Sequence, residues 1–187
     1  MTTPIIATER LVLRRMMGYD APALHAMLSD AETMRYWSTP PHATLAETEA
    51  WVAEGLAAAA SGDGHDFVAL ENERLIGRVA FWMGNEIGFL FSRAVWGKGY
   101  AREALLAVLR YGFDQLGFKT VRADVDPNNA RSLKLLERVG FKRTGFAEKT
   151  FKIGETWVDS IYLELSAEAF TREQRQTGRS LLRPGVF

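Results

Sequence analysis

Apolar positions along the chain follow two rhythms, and the places where one gives way to the other outline the elements. Positions 9–15 set Leu11, Val12 and Leu13 among charged neighbours, as a half-buried strand does. Asp20 followed by Pro22 opens a helix with Leu24, Met27 and Leu28 on its inner face. An aromatic stretch at Met34, Tyr36 and Trp37 leads to the helix-breaking pair Pro40 and Pro41. Thr44 with Glu47 three residues on forms a capping box for a second helix, which carries Trp51, Val52 and Leu56 to a turn at 61–64.

Strands follow at 67–70 and 75–82, joined as a hairpin, and a third at 87–91 lies beyond Gly84 and Asn85. The rhythm then turns helical: Ala101, Ala104, Leu105, Val108 and Leu116 predict a long helix closed by Gly117. A strand at 120–125 stops before Pro127, and Asn129 caps a helix with Leu133, Leu136 and Val139 inside. Strands near 143–153 and 156–165 flank a turn at Gly154. This order predicts one α+β domain with a mixed sheet over 1–170, and a polar tail or surface arm over 171–187.

One junction carries chemistry. Between the strand at 87–91 and the long helix stand Gly97, Lys98 and Gly99. Glycine accepts the backbone angles that turn successive N–H groups into one concavity. The helix start adds N–H groups without internal partners and a partial positive charge. Together they make an anion site suited to a pyrophosphate, with Lys98 and Arg102 at its rim. Two other phosphate loops do not fit. The dinucleotide fingerprint wants a small residue where Arg102 and Glu103 stand, and the nucleotide-triphosphate loop wants Ser or Thr where Gly99 follows Lys98.

Composition narrows the chemistry. Lys plus Arg equals Asp plus Glu at 23 each, so no overall basic surface favours nucleic acid or membrane. There is no cysteine, which removes disulfides and a thiol nucleophile and fits a cytoplasmic setting. Positions 1–6 lack a signal-peptide pattern, and the apolar stretch near 52–60 is too short for a membrane span. The three histidines lack metal-ligand spacing, so no metal is expected.

The stretch Trp96-Gly-Lys-Gly-Tyr-Ala101 resembles the pyrophosphate motif of the GNAT acetyltransferase superfamily, in the branch that includes Rim-type acetyltransferases of ribosomal-protein N-termini. Trp96 replaces the Gln or Arg usual in the superfamily, as is common in that branch. The segments 9–14, 86–91, 126–132 and 136–141 resemble further family signatures in the same order. The resemblance implies the GNAT acyl-CoA N-acyltransferase fold, a mixed and mostly antiparallel sheet flanked by helices whose central strands splay. It implies acetyl-CoA as cofactor, its pantetheine arm in the splay pairing with the backbone of Leu90, Phe91 and Ser92 as an added strand does. Gly97, Lys98, Gly99, Tyr100, Ala101 and Arg102 would hold the pyrophosphate, with Asn129 and Ser132 on the other side.

Without cysteine, transfer is expected to be direct attack by a positioned amine. The tyrosine that serves many relatives as the acid is Leu136 here, so Ser132 becomes the candidate donor to sulfur, against a local helix-start role. Glu86, at the start of the strand beside the acyl group, is the candidate base, against a solvated turn carboxylate. Tyr36, Trp37 and Trp51 are expected at the acceptor side, where aromatic walls suit a cationic or neutral amine. The expected acceptor is a peptide or protein N-terminal α-amine. Alternatives are a small amine such as a polyamine or amino sugar, or an acyl-CoA-binding module without catalysis. A monomer or homodimer is expected.

Overall fold

The computed structural model describes residues 4–177. An eight-stranded sheet runs in the order β1-β2-β3-β4-β5-β6-β8-β7. Its strands are β1 (Ile6–Ala7), β2 (Val12–Arg15), β3 (His65–Glu71), β4 (Arg74–Trp82), β5 (Glu86–Phe91), β6 (Thr120–Val125), β7 (Lys142–Ile153) and β8 (Thr156–Ser166). Five helices flank it: α1 (Ala21–Leu28), α2 (Leu45–Ser61), α3 (Tyr100–Asp114), α4 (Ala130–Val139) and α5 (Ala167–Thr177).

Strand alternation sends side chains to two cores. Val52 of α2 joins Leu24, Met27 and Leu28 of α1 over Val68 and Leu90 on one face. On the other, Leu105 and Val108 of α3, Leu133 and Leu136 of α4 and Phe170 of α5 pack over Ile87, Phe91, Val121 and Ala123. The hairpin expected across 71–74 closes in two residues, Asn72 and Glu73, both left-handed at φ 47° and 66°. That geometry matches the twist of the flanking strands.

Every neighbouring pair of strands is antiparallel except β5 and β6, which run parallel and share a single register pair, Glu86 with Arg122. Beyond that pair the strands part, which is the splay that the resemblance implied. β6 goes on to pair with β8 along its whole length, from Thr120 opposite Ser166 to Val125 opposite Ile161.

Local expectations need four corrections. The first long strand begins at Val12, because Glu9 and Arg10 lie in the turn between β1 and β2. The capping box of α2 is half formed: Thr44 Oγ1 accepts from the Glu47 N–H, but the Glu47 carboxylate takes the N–H of Ala43. The long helix stops at Asp114, two residues short of Leu116. Residues 171–177, read as tail, continue α5, whose Phe170 stacks on Phe113 with ring centres 5.2 Å apart. The rest of the expected tail, 178–187, lies outside the described residues.

Candidate active site

The loop after β5 has the conformation that its glycines suggested. Gly97 and Gly99 sit at φ 76° and 85°, in the left-handed region that any Cβ would strain. Gly99 is the N-cap of α3, and the first intrahelical bond runs from Glu103 N–H to Gly99 O at 3.0 Å. The N–H groups of Tyr100, Ala101 and Arg102 bond nothing among the described residues, which leaves three convergent donors at the positive end of a 15-residue helix.

That helix start forms one end of a groove of about 590 Å³. Phe89, Leu90 and Phe91 of β5 form one wall, with Asn129 and Ser132 at the start of α4 facing them. Tyr36 and Trp37, from the link between α1 and α2, close the far side. The link is held there by Asp30, whose carboxylate takes the Thr33 N–H at 2.9 Å and pairs with Arg93 at 3.0 Å. The Thr33 hydrogen bonds, with Arg93 assisting, hold the Asp30 carboxyl below its ordinary value. Trp37 lies beside Gly88, its indole 4.0 Å from where a Cβ would stand, an ordinary contact distance.

Gly97, Gly99, Ala101 and Arg102 line this groove with Leu90, Phe91, Asn129 and Ser132. Five other expected site residues, Ser92, Lys98, Tyr100, Trp51 and Glu86, do not. The Ser92 N–H is spent on Ile76 O at 2.9 Å. By the two-residue period of an antiparallel ladder, the backbone groups of Leu90 also turn to β4, and those of Phe89 and Phe91 turn to the gap. Lys98 is outside the lining, and its carbonyl accepts from Arg10. The Tyr100 hydroxyl donates to Glu71 and its ring lies 4.1 Å under the Arg10 guanidinium, so only its N–H remains for a ligand. Trp51 is stacked 4.6 Å from the Arg78 guanidinium, whose buried partner is Asp66, and therefore belongs to the core under α2.

Asn129 caps α4 by accepting the Ser132 N–H at 3.1 Å. The Ser132 hydroxyl itself has no hydrogen bond among the described residues. Glu86 stands where β5 and β6 part. Arg122 and Asp124 share its face of the sheet, because Val121, Ala123 and Val125 fill the opposite core. Burial, with the nearby Asp124 charge, pushes the Glu86 carboxyl above its ordinary value, and Arg122 opposes this. Burial also raises Asp124, against a hydrogen bond from Ser160, whose hydroxyl meets that of Thr150 at 2.6 Å.

Several groove residues were not singled out from sequence. Arg131, Lys134 and Arg138 bring a basic stripe of α4 to the rim. Their spacing of three and four residues was a readable signal for one helix face. Arg131 lies 4.1 Å from the Trp96 ring, and the Trp96 Nε1–H donates to Phe91 O at 2.7 Å. Trp96 thus fixes the end of β5 and carries a cation across to α4. With Arg102, this rim concentrates positive charge in a chain whose formal charge is zero. The free helix N–H groups and this basic rim fit the phosphates of acetyl-CoA.

Comparison with known proteins agrees. An acetyltransferase (GNAT) domain model matches residues 10–142. The chain is 29% identical over 168 residues to the uncharacterized N-acetyltransferase YnaD of Bacillus subtilis (strain 168), covering 87% of this chain and 97% of that one. It is 32% identical over 85 residues to the ribosomal protein uS5 alanine N-acetyltransferase of Escherichia coli (strain K12), covering 46% of this chain and 44% of that one. The crystal structure of spermidine N-acetyltransferase from Vibrio cholerae, in complex with CoA and spermine, superposes with a TM-score of 0.77 at 22% identity over 87% of this chain and 98% of that one. The chain belongs to the GNAT family of N-acetyltransferases and uses acetyl-CoA as acetyl donor.

Proposed function

We propose that this acetyltransferase acts on the α-amine at the N-terminus of a peptide or protein. The parting of β5 and β6 beyond Glu86 and Arg122 carries the reading. It leaves the edge of β5 unpaired along a groove that has free helix N–H groups at one end and Tyr36 and Trp37 at the other. A long ligand can enter at the basic end, lie along the strand edge and present its tip to the aromatic end.

Acetyl-CoA, when bound, supplies a thioester whose acetyl carbon accepts an amine as sulfur leaves. The chain's own residues have separate tasks. The N–H groups of Tyr100, Ala101 and Arg102 would bind the pyrophosphate, with Arg131 and Arg138 at the rim. The backbone of Phe89 and Phe91 would align the pantetheine arm, although Trp96 already occupies Phe91 O. Ser132, with an uncommitted hydroxyl, would donate a hydrogen bond to the departing sulfur, stabilising the charge that develops there. Glu86, facing Asp124 across the opening of the wedge, would take the amine proton directly or through a water. Trp37 would flank the amine and exclude bulk water.

A peptide N-terminus suits this layout because the groove reaches Thr33, Tyr36 and Trp37 of the α1–α2 link, where a chain would leave. Resemblance to the uS5 alanine N-acetyltransferase supports the same choice. The two carboxylates Glu86 and Asp124 favour one alternative, a small polyamine. Free thiol release from acetyl-CoA distinguishes them. Peptides with free Ala or Ser N-termini, the same peptides N-terminally blocked but carrying lysine, and spermidine are the acceptors to compare. Faster turnover of the free N-terminal peptides is expected; preference for spermidine would overturn the reading.

A further inference from the structure

We infer that Arg10, in the turn between β1 and β2, is a positioning residue for the cofactor loop and acts by neutralising Glu103 behind it. Glu103 lies in the first turn of α3, directly after the three free N–H groups, and its side chain is buried at 5% exposure. A carboxylate there opposes the positive helix end that a diphosphate needs, since its own negative charge repels the ligand. The N-terminal turn answers that charge completely. Thr8 Oγ1 donates to Glu103 Oε1 at 2.5 Å, and the Arg10 backbone N–H donates to the same oxygen at 2.8 Å. Arg10 Nε and Nη2 each reach Glu103 Oε2 at 2.7 Å, a two-pronged pairing that only a guanidinium makes.

The same guanidinium grips the loop itself. Arg10 Nη1 donates to Lys98 O at 3.0 Å, between the two left-handed glycines. A Cβ on Gly99 would come 3.4 Å from Arg10 Nη2, so the group rests directly behind the N-cap. Its flat face covers Tyr100 at 4.1 Å, and the Tyr100 hydroxyl is tied to Glu71 on β3. Lys98, Gly99, Tyr100 and Glu103 are thus held by one cation from the far end of the chain. Arg10 does not line the groove, and it would influence the phosphates only through loop shape and through the charge of Glu103.

The inference rests on the reading that the pyrophosphate sits at this loop. The purified full chain is assayed for CoA affinity by calorimetry, for acetyl-CoA KM and kcat, and for thermal midpoint. Arg10→Ala is expected to weaken CoA and raise KM by about tenfold with kcat within about threefold. Adding Glu103→Gln to Arg10→Ala is expected to recover affinity by about threefold, because the stranded charge is gone although more native bonds are lost. A purely structural brace would lower the thermal midpoint in both variants without that recovery. S-acetylpantetheine, which lacks the pyrophosphate, should be used equally well by parent and Arg10→Ala. If Arg10→Ala does not fold, Arg10→Lys keeps the charge but loses the fork, and a three- to fivefold weakening of CoA is expected (about 0.6–1 kcal/mol). Folded variants that bind CoA within twofold of the parent, or a double variant no better than the single one, would overturn the inference. Gly99→Val separates the two ideas. If it weakens CoA while Arg10 variants do not, the brace alone is wrong; if it too is silent, the loop is not the phosphate site.

Discussion

The two ends of the groove are built from different materials. At the cofactor end the working groups are backbone N–H groups, fixed by two left-handed glycines, a helix start and a buried ionic brace. At the end proposed for the acceptor they are side chains: Tyr36 and Trp37 line the groove from a link without regular structure, and Glu86 and Asp124 stand beyond its lining where β5 and β6 diverge. A ligand shared by a whole family can be read by the main chain, which changes little when side chains change. An acceptor particular to one member must be read by side chains that are free to vary.

If that contrast holds, a change at the cofactor end should damage binding of every ligand that carries the pyrophosphate. Gly99→Val is the severest test, because φ 85° and the close Arg10 guanidinium both resist a branched side chain. CoA affinity is expected to fall by at least about tenfold, about 1.4 kcal/mol. Calorimetry on the folded variant with unchanged affinity would remove the loop from the site.

Ser132→Ala comes next, with a fall in kcat of about tenfold and little change in either KM, since a bond to developing charge strengthens only in the transition state. A kcat within about twofold of the parent would leave Ser132 as the residue whose N–H is capped by Asn129 and nothing more. Trp37→Ala should act on the other substrate. The acceptor KM is expected to rise about fivefold while the acetyl-CoA KM stays put, because the indole lies against Gly88 at the far end from the phosphate loop. Equal rises in both constants would show that the groove does not divide as described.

Legibility in the sequence followed the same division. Most of the succession of strands and helices, the loop conformation and the Asn129 cap could be read because each depends on local rules: alternation, glycine angles and capping oxygens. The parting of β5 and β6 was expected only through family resemblance, since no local pattern in 86–91 or 120–125 says which neighbour a strand will refuse. Arg10 could not be found that way either, because its partner Glu103 lies 93 residues on. Trp51 was misplaced for a related reason. An aromatic ring on a helix face is equally suited to a ligand wall and to covering a buried Arg78, and only tertiary packing decides between them.

The smallest expected effect is at Glu86, and it bears on whether the acceptor end shares its work between two carboxylates. Burial and the facing Asp124 raise the Glu86 carboxyl above its ordinary value near 4.5, so it is better matched to an amine than a solvated glutamate is. Asp124 stands on the adjoining strand and can stand in when Glu86 is lost, so Glu86→Gln is expected to lower kcat/KM by only about threefold near pH 7. The deficit should close as pH rises and more of the amine is already free. Stability should move in the opposite sense. A raised carboxyl holds its proton more tightly in the folded chain than in the unfolded one, so its stabilising contribution is full below the ordinary value and is lost as pH climbs through the folded one. The glutamine has no proton to lose. The variant should therefore match the parent in acid and be slightly more stable at neutral pH, by a fraction of a kcal/mol for a charge so partly solvated, which is read as a small rise in thermal midpoint. A parallel pH–rate profile with no gain in midpoint would make Glu86 a bystander at the wedge and move the base to Asp124.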